Sequence, residues 1–353
     1  MKKYGIIALV FLTVLGCREP FDFDYQEVEA PKVVIEGFIS DRGTRHAVKV
    51  STSTTINDRG LLETQFIEDA QVRIEDDQGG FTLLSHLEAG IYLTAPQYRA
   101  LEGRSYTLLV TLANGEEYRS PAKSLPPPSP ATAQLSVEGT TRPILVNNRL
   151  QEEEGGQISV TIDKNNERHF YQWLIGHYFI YEADLTPEDS PIRYCYVREF
   201  DEARVDLLQD NPAEGDNASY TYDLDFVPIT SRTEFDFAVE GRLLTMNEED
   251  YNFWEKIKRL SENSGGLFDA APFSIEGNIT NESTGEEVLG YFGVYRESID
   301  RVFFNQRELG FGFTNFPPCQ LPPGAPPNHP CLDCRTFLAQ ANFGVTPPVW
   351  WRN

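Results

Sequence analysis

Ser105, Tyr106, Thr107, Leu108, Leu109, Val110, Thr111 and Leu112 form a run in which Tyr106, Leu108 and Val110 share one face and Thr107, Leu109 and Thr111 the other. One face is apolar and the other mixed, as expected for a strand in a sheet covered on one side. Comparable short runs flank it: Val33 to Ile39, Ala47 to Ser51, Ala70 to Glu75, Phe81 to Leu84, Ile91 to Thr94 and Glu117 to Ser120. Between them, Asp76, Asp77, Gln78, Gly79, Gly80 and Ala113, Asn114, Gly115 supply residues suited to tight turns. Strands at this spacing predict an all-β sandwich over residues 31–124. Leu125, Pro126, Pro127, Pro128, Ser129 and Pro130 then interrupt the pattern, because proline fixes φ and lacks a ladder donor. Residues 125–130 are therefore expected to be a hinge between that sandwich and a second domain, 131–353.

The second region continues as β, with strands expected over Leu135 to Val137, Gln157 to Ile162 and the aromatic-rich Phe170 to Tyr181. Further strands are expected at Phe273 to Asn278, Val288 to Val294 and Ile299 to Phe304. One segment has helical spacing instead. Thr245 with Glu248 fits a capping box, and Tyr251, Trp254, Ile257 and Leu260 recur before Ser264, Gly265 and Gly266 stop the run. The expected fold is mainly β: an N-terminal sandwich, then a larger β-rich domain with one clear helix at about 245–263.

The 353 residues carry 30 Lys and Arg against 54 Asp and Glu, a formal charge of −24. Such a balance repels phosphate backbones and anionic headgroups, and no basic run offsets it, so a nucleic-acid partner is set aside. Lys2 and Lys3 precede an uncharged stretch from Tyr4 to Gly16 that is too short for a bilayer span of about 20 residues. Residues 1–16 read as a signal peptide. Its end, Val14, Leu15, Gly16 and Cys17, resembles the bacterial lipobox, in which the thiol takes a diacylglycerol; the alternative is plain secretion with Cys17 near the cleavage site. More than one acyl chain gives stable anchoring. Residues 17–30, with Glu19, Asp22, Asp24 and Glu27, form an acidic tether without apolar periodicity, expected to stay solvated.

With Cys17 lipidated, Cys195, Cys319, Cys331 and Cys334 remain, an even number in an oxidising compartment. Two disulfides are the simplest use; four thiols allow three pairings, and a link from Cys195 to the tail would restrain a segment that holds seven prolines between Phe316 and Pro330. The sharper alternative is zinc on Cys319, His329, Cys331 and Cys334. His169, Trp173 and His177 share a strand face and offer a small binding stripe. Trp350 with Trp351, or Tyr178 with Tyr181, offer aromatic platforms, though such residues equally pack on a sheet. Close acids occur at Asp22 and Asp24, Asp76 and Asp77, and Asp223 and Asp225, and Asp210 to Asn217 forms an acidic stretch without EF-hand order. No HExxH, GxSxG or GxxxxGKS motif occurs, so no catalytic residue is assigned and no cofactor is expected.

In this order the strings VVIEGFISD (33–41), DAQVRIED (69–76), GRSYTLLV (103–110), SLPPP (124–128), FYQW (170–173), LTMNEEDYNFWEKIK (244–258), GGLFDAAPFSIEGNI (265–279), VLGYF (288–292), CLDCR (331–335) and PPVWW (347–351) are specific. They resemble the Bacteroidota outer-membrane lipoproteins grouped as domain of unknown function 4249; the paired Trp350 and Trp351 depart from a more usual single aromatic. The first domain also resembles immunoglobulin-like and transthyretin-like sandwiches. In Bacteroidota, acidic residues behind the lipidated cysteine resemble a signal for export to the outer face. The resemblance implies an outer-membrane lipoprotein, on the periplasmic or extracellular side with the latter favoured, that binds a ligand or assists a TonB-dependent transporter. Two other readings stay open: an extracellular hydrolase with a carboxylate or metal site, and a structural or adhesive surface module.

Overall fold

The computed structural model describes residues 31–53, 55–56, 62–129, 134–147, 149–163, 167–200, 204–210, 219–262, 275, 277–312, 316–338 and 344–352. Cys17 and the tether lie outside the described residues, as do 211–217. The chain is mainly β, with several sheets and one clear helix. A nine-stranded sheet runs in the order Tyr194–Phe200, His169–Glu182, Phe237–Met246, Phe292–Phe304, Val33–Ser40, Ala47–Thr52, Ile91–Leu93, Ser85–Glu88, with Asp206–Asp210 also paired to His169–Glu182. A seven-stranded sheet has the order Glu287–Val288, Ile279–Asn281, Glu117–Arg119, Ser105–Thr111, Gln71–Asp76, Phe81–Leu83, with Lys123–Ser124 on Ser105–Thr111. Gln134–Val146, Arg149–Asp163 and Ser219–Pro228 make a three-stranded sheet.

Two cores result. In the first, Ile35, Ile39, Val48 and Val50 of the long sheet meet Val72, Ile74, Leu108 and Val110 of the seven-stranded sheet. In the second, Tyr171, Trp173, Phe179 and Leu243 meet Ile158, Val160 and Ile162 of the three-stranded sheet. The alternation in Ser105–Thr111 and its neighbours thus buries the expected face.

The division expected at 125–130 does not separate these cores. Phe292–Phe304 pairs in parallel with Val33–Ser40 through residues 292–295 and antiparallel with Phe237–Met246 through residues 296–304. One strand therefore carries the sheet from the first core to the second, and Ile279, Val288, Phe292 and Val294 complete the first. The proline segment is packed as well: the Pro126 carbonyl accepts from Arg296 Nε at 2.6 Å. Hairpin-sized strands close locally, but this parallel pairing joins segments far apart in sequence, so local pattern does not announce it.

Several expectations are corrected. Thr245 does not cap the helix; it ends the Phe237–Met246 strand, paired with Tyr171 and Arg296. The helix is Glu248–Glu262, and its first turn holds Glu248, Glu249 and Asp250, acids that suit the positive end of the helix dipole. Residues 273, 274 and 276 of the expected Phe273 to Asn278 strand lie outside the described residues, and the described strand starts at Ile279. Val288 to Val294 is broken at Gly290, where φ is +97°. Beyond it, the segments expected as Val288 to Val294 and Ile299 to Phe304 merge into Phe292–Phe304.

The face of the long sheet opposite the second core is also covered. Phe170, Leu244, Met246 and Tyr295 pack with Tyr251 and Trp254 of the helix. Farther along, Trp350 meets Tyr178 edge-on at 4.8 Å, and Trp351 meets Tyr196 and Phe303, each at 5.4 Å.

Candidate functional site

A cleft lies where His169–Glu182 ends. Phe179 and Tyr181 form its floor, and the chain turns immediately through Asp184. A short 3-10 turn, Ser231–Thr233, forms the next wall. Thr230 caps it, accepting from Arg232 N–H at 3.3 Å, while Thr233 Oγ1 accepts from Thr230 N–H at 3.0 Å. This capping places Arg232, Glu234 and Phe235 on the cleft. The outer wall is the extended stretch Phe316 to Cys319, and the enclosed volume is about 350 Å³.

The tail wall has little ladder bonding, so other contacts fix it. Cys319 N–H donates to Asp184 Oδ2 at 2.8 Å, Leu185 N–H to the Cys331 carbonyl at 3.1 Å, and Thr186 Oγ1 to the Leu332 carbonyl at 2.6 Å. Disulfides join Cys319 to Cys331 and Cys195 to Cys334, each with Cα atoms 5.6 Å apart. Phe337 of the short helix Cys334–Leu338 stacks on Tyr181 at 4.2 Å.

Charge in the cleft is unevenly compensated. Glu182 accepts from Arg193 Nε at 2.8 Å and from Tyr194 OH at 3.1 Å. Arg232 pairs with Glu199 at 2.6 Å, its guanidinium 4.8 Å from the Phe179 ring. Glu234 has no side-chain partner among the described residues, and Asp184 Oδ1 is buried without one. Burial, followed by the negative charges of Glu182 and Asp184, pushes the Glu234 carboxyl above its ordinary pKa. The arrangement offers carboxylate acceptors beside aromatic faces, a combination suited to a group that donates hydrogen bonds from a flat or apolar frame.

The sequence pattern of the family described as "Domain of unknown function (DUF4249)" matches residues 18–301. The chain belongs to that family. No curated protein matches it. The DUF4249 span takes in the first core, most of the second and the helix, and ends inside the Phe292–Phe304 strand; the tail wall of the cleft and the three tail cysteines, Cys319, Cys331 and Cys334, come after it.

The residues singled out in this DUF4249 chain fall in several places. Cys319, His329 and Cys331 bring ligand atoms within 4.8 Å of one another. Yet the two sulfurs are bonded to each other, and Cys334 is bonded to Cys195. A disulfide sulfur has no thiolate to give, so the four-ligand zinc alternative would require both bonds to be reduced. Cys195, Cys331 and Cys334 are wholly buried.

His169, Trp173 and His177 do not form a stripe. Trp173 sits in the second core, His169 is buried with Nδ1 3.0 Å from the Glu167 carbonyl, and His177 Nε2 reaches Asp225 Oδ2 at 2.7 Å. Burial opposes charge on Asp225, but its bonds to His177 and Arg204 outweigh that and hold its pKa below the ordinary value. Asp223 is separated from Asp225 by a register shift and accepts from Ser159 Oγ at 3.0 Å. Asp76 serves a turn, taking N–H bonds from Gln78 and Gly80, each at 2.9 Å. Tyr178 is covered by Trp350, and burial pushes its hydroxyl up to about 12. The platforms suggested by Trp350 and Trp351 are instead packed on the sheet, with Arg301 4.1 Å over the Trp350 ring. Sequence reasoning did not reach Arg232, Glu234 or Asp184. The one local signal was Thr230 three residues before Thr233, which caps the turn that aims two of them.

Proposed function

We propose that this DUF4249 protein is a Bacteroidota outer-membrane lipoprotein, anchored through Cys17 and facing the cell exterior, that holds a ligand in the Glu234 cleft as accessory partner of a TonB-dependent transporter. The observation that carries the reading is the leader: a dibasic start, thirteen uncharged residues, and Gly16 before Cys17, followed at once by an acidic tether. Among the described residues no helix is long and apolar enough to cross a membrane. A net charge of −24 also opposes adsorption to anionic headgroups, so in this reading attachment rests on the acyl chains. The cleft supports the binding half of the proposal because it keeps two carboxyl groups without charge partners among the described residues, beside aromatic rings, at a place where two crosslinks hold irregular chain.

Isolation of the protein from gently solubilised native membranes tests the reading. A large β-barrel should be recovered with it in fixed proportion. Recovery of the lipoprotein alone under every mild detergent condition would overturn the transporter role.

A further inference from the structure

Away from the cleft, the helix start meets the end of the seven-stranded sheet around one lysine. Lys123 pairs opposite Tyr106 at the sheet edge, and its side chain is only 6% exposed. Its Nζ lies 2.9 Å from Oδ1 of Asp250, whose side chain is wholly buried, and 2.7 Å from Oε2 of the exposed Glu249. Tyr291 OH donates to the same Asp250 Oδ1 at 2.6 Å and lies 3.1 Å from Nζ. The Phe253 ring stacks on Tyr291 at 4.2 Å and closes the group from one side.

As an ion pair this cluster is incompletely satisfied. Among the described residues Asp250 Oδ2 is buried with no hydrogen-bond partner, so one of the two carboxylate oxygens is desolvated without compensation there. Burial, opposed by Lys123, raises the Asp250 carboxyl above its ordinary pKa, in the direction of the neutral acid. An amide between the two side chains would need one oxygen and one N–H. The oxygen has its donor in Tyr291, the N–H its acceptor in Glu249, and the orphan atom would be gone.

We propose that Lys123 and Asp250 condense to an intramolecular isopeptide bond. Within the pair, one proton passes from the Lys123 ammonium to the Asp250 carboxylate, leaving neutral amine and neutral acid. The Nζ lone pair attacks Cγ; the C=O electron pair moves onto Oδ1, where the Tyr291 hydroxyl meets the developing charge. Glu249, with Oε2 2.7 Å from Nζ, takes a second proton from nitrogen and returns it to the departing Oδ2. The carbonyl re-forms on Oδ1, the Cγ–Oδ2 bond breaks, and Oδ2 leaves as water with the two protons nitrogen has given up. One hydrogen stays on the amide nitrogen, so atoms and charge balance and no oxidant or cofactor is required. The fold supplies the proximity that makes such a reaction fast relative to solution. Lys123 is fixed by the sheet, Asp250 by the first helical turn, and Tyr291 by the backbone turn at Gly290.

The intact mass of the purified protein, set against a sequence mass that counts its processed and acylated N-terminus and both disulfides, reads the proposal directly. The expected value is lower than the sequence mass by one water, about 18 Da. Trypsin should fail to cut after Lys123 and release instead a branched peptide joining the Lys123 and Asp250 segments. Lys123→Met should restore the full mass, and Glu249→Gln, an exposed change, should leave a mixture in which the shifted species accumulates more slowly. A wild-type chain at full sequence mass, cut normally after Lys123, overturns the proposal whatever the variants do.

Discussion

The two cores of one sheet are built from different materials. The first is mainly aliphatic, with Ile35, Ile39, Val48, Val50, Val72, Ile74 and Val110 on short strands beside Tyr92, Tyr106, Tyr118 and Phe292, and among the described residues it contains no disulfide. The second sets bulkier aromatics, Tyr171, Trp173, Phe179, Phe237 and Phe304, on strands of ten or more residues among aliphatic neighbours such as Ile158, Val160 and Ile162, and its edge is crosslinked to the tail. Short strands with small branched residues close a sandwich through local hairpins and need little else. Long strands covered on both faces bury more, yet they leave an irregular tail that has to be tied down, and the cleft forms where that tail is tied.

Breaking the crosslinks should separate the halves most. In the chain-entropy description, losing Cys195–Cys334, whose partners are 139 positions apart, costs about 5 kcal/mol, against about 3 kcal/mol for Cys319–Cys331, 12 positions apart. Urea titration of Cys195→Ala/Cys334→Ala beside Cys319→Ala/Cys331→Ala should show that order; equal losses would mean the tail adds nothing to the second core. Next comes the aromatic core itself. Trp173→Ala should cost about 4 kcal/mol and Ile35→Val about 1 kcal/mol, read by the same titration, because the deleted volume differs so much.

The joint between the halves is the third point of attack. At Gly290, φ is +97° and an added Cβ would fall 2.1 Å from the Ile35 carbonyl oxygen. Gly290→Ala should therefore cost at least about 2 kcal/mol and loosen both cores together in hydrogen exchange. Exchange confined to one core would show that the halves are only loosely joined.

The smallest effect is at the end of the chain. Arg352 donates to Asp236 from Nε at 2.8 Å, and that bond, with burial opposing it, holds the Asp236 carboxyl below its ordinary 3.8. Stability from this group is complete above 3.8 and is lost as pH falls through the lowered folded value. For a pair this close to solvent it amounts to no more than about 1 kcal/mol. Arg352→Ala should flatten that part of the acid titration and lower neutral-pH stability by no more than about 1 kcal/mol, a difference that disappears once the pH has fallen through the lowered folded value.

This difference in materials also explains what could be read from sequence. In the first core one face of each strand is polar, so Val33–Ser40, Ala47–Thr52, Gln71–Asp76 and Ser105–Thr111 show period two and were legible within a residue or so. Phe237–Met246 has nine of ten residues buried, with Glu240 inside and bonded to Arg301 at 2.7 Å, so neither alternation nor polarity marked it. Tyr194–Phe200 and Ser219–Pro228 went unread for lack of the same signal. The cleft was illegible because its carboxyls, Asp184 and Glu234, come from separate turns that meet against the irregular stretch Phe316 to Cys319 of the tail. The same holds for Lys123, Asp250 and Tyr291, which meet only because the first core borrows strands from the far end of the chain.

Anchoring is the claim on which the functional reading stands, and the mature N-terminus tests it most directly. Mass analysis of the protein from its native membrane should find Cys17 as the first residue, acylated, and Cys17→Ser should move the protein to the soluble fraction. An unacylated first residue, or unchanged membrane fractionation of Cys17→Ser, would contradict the account.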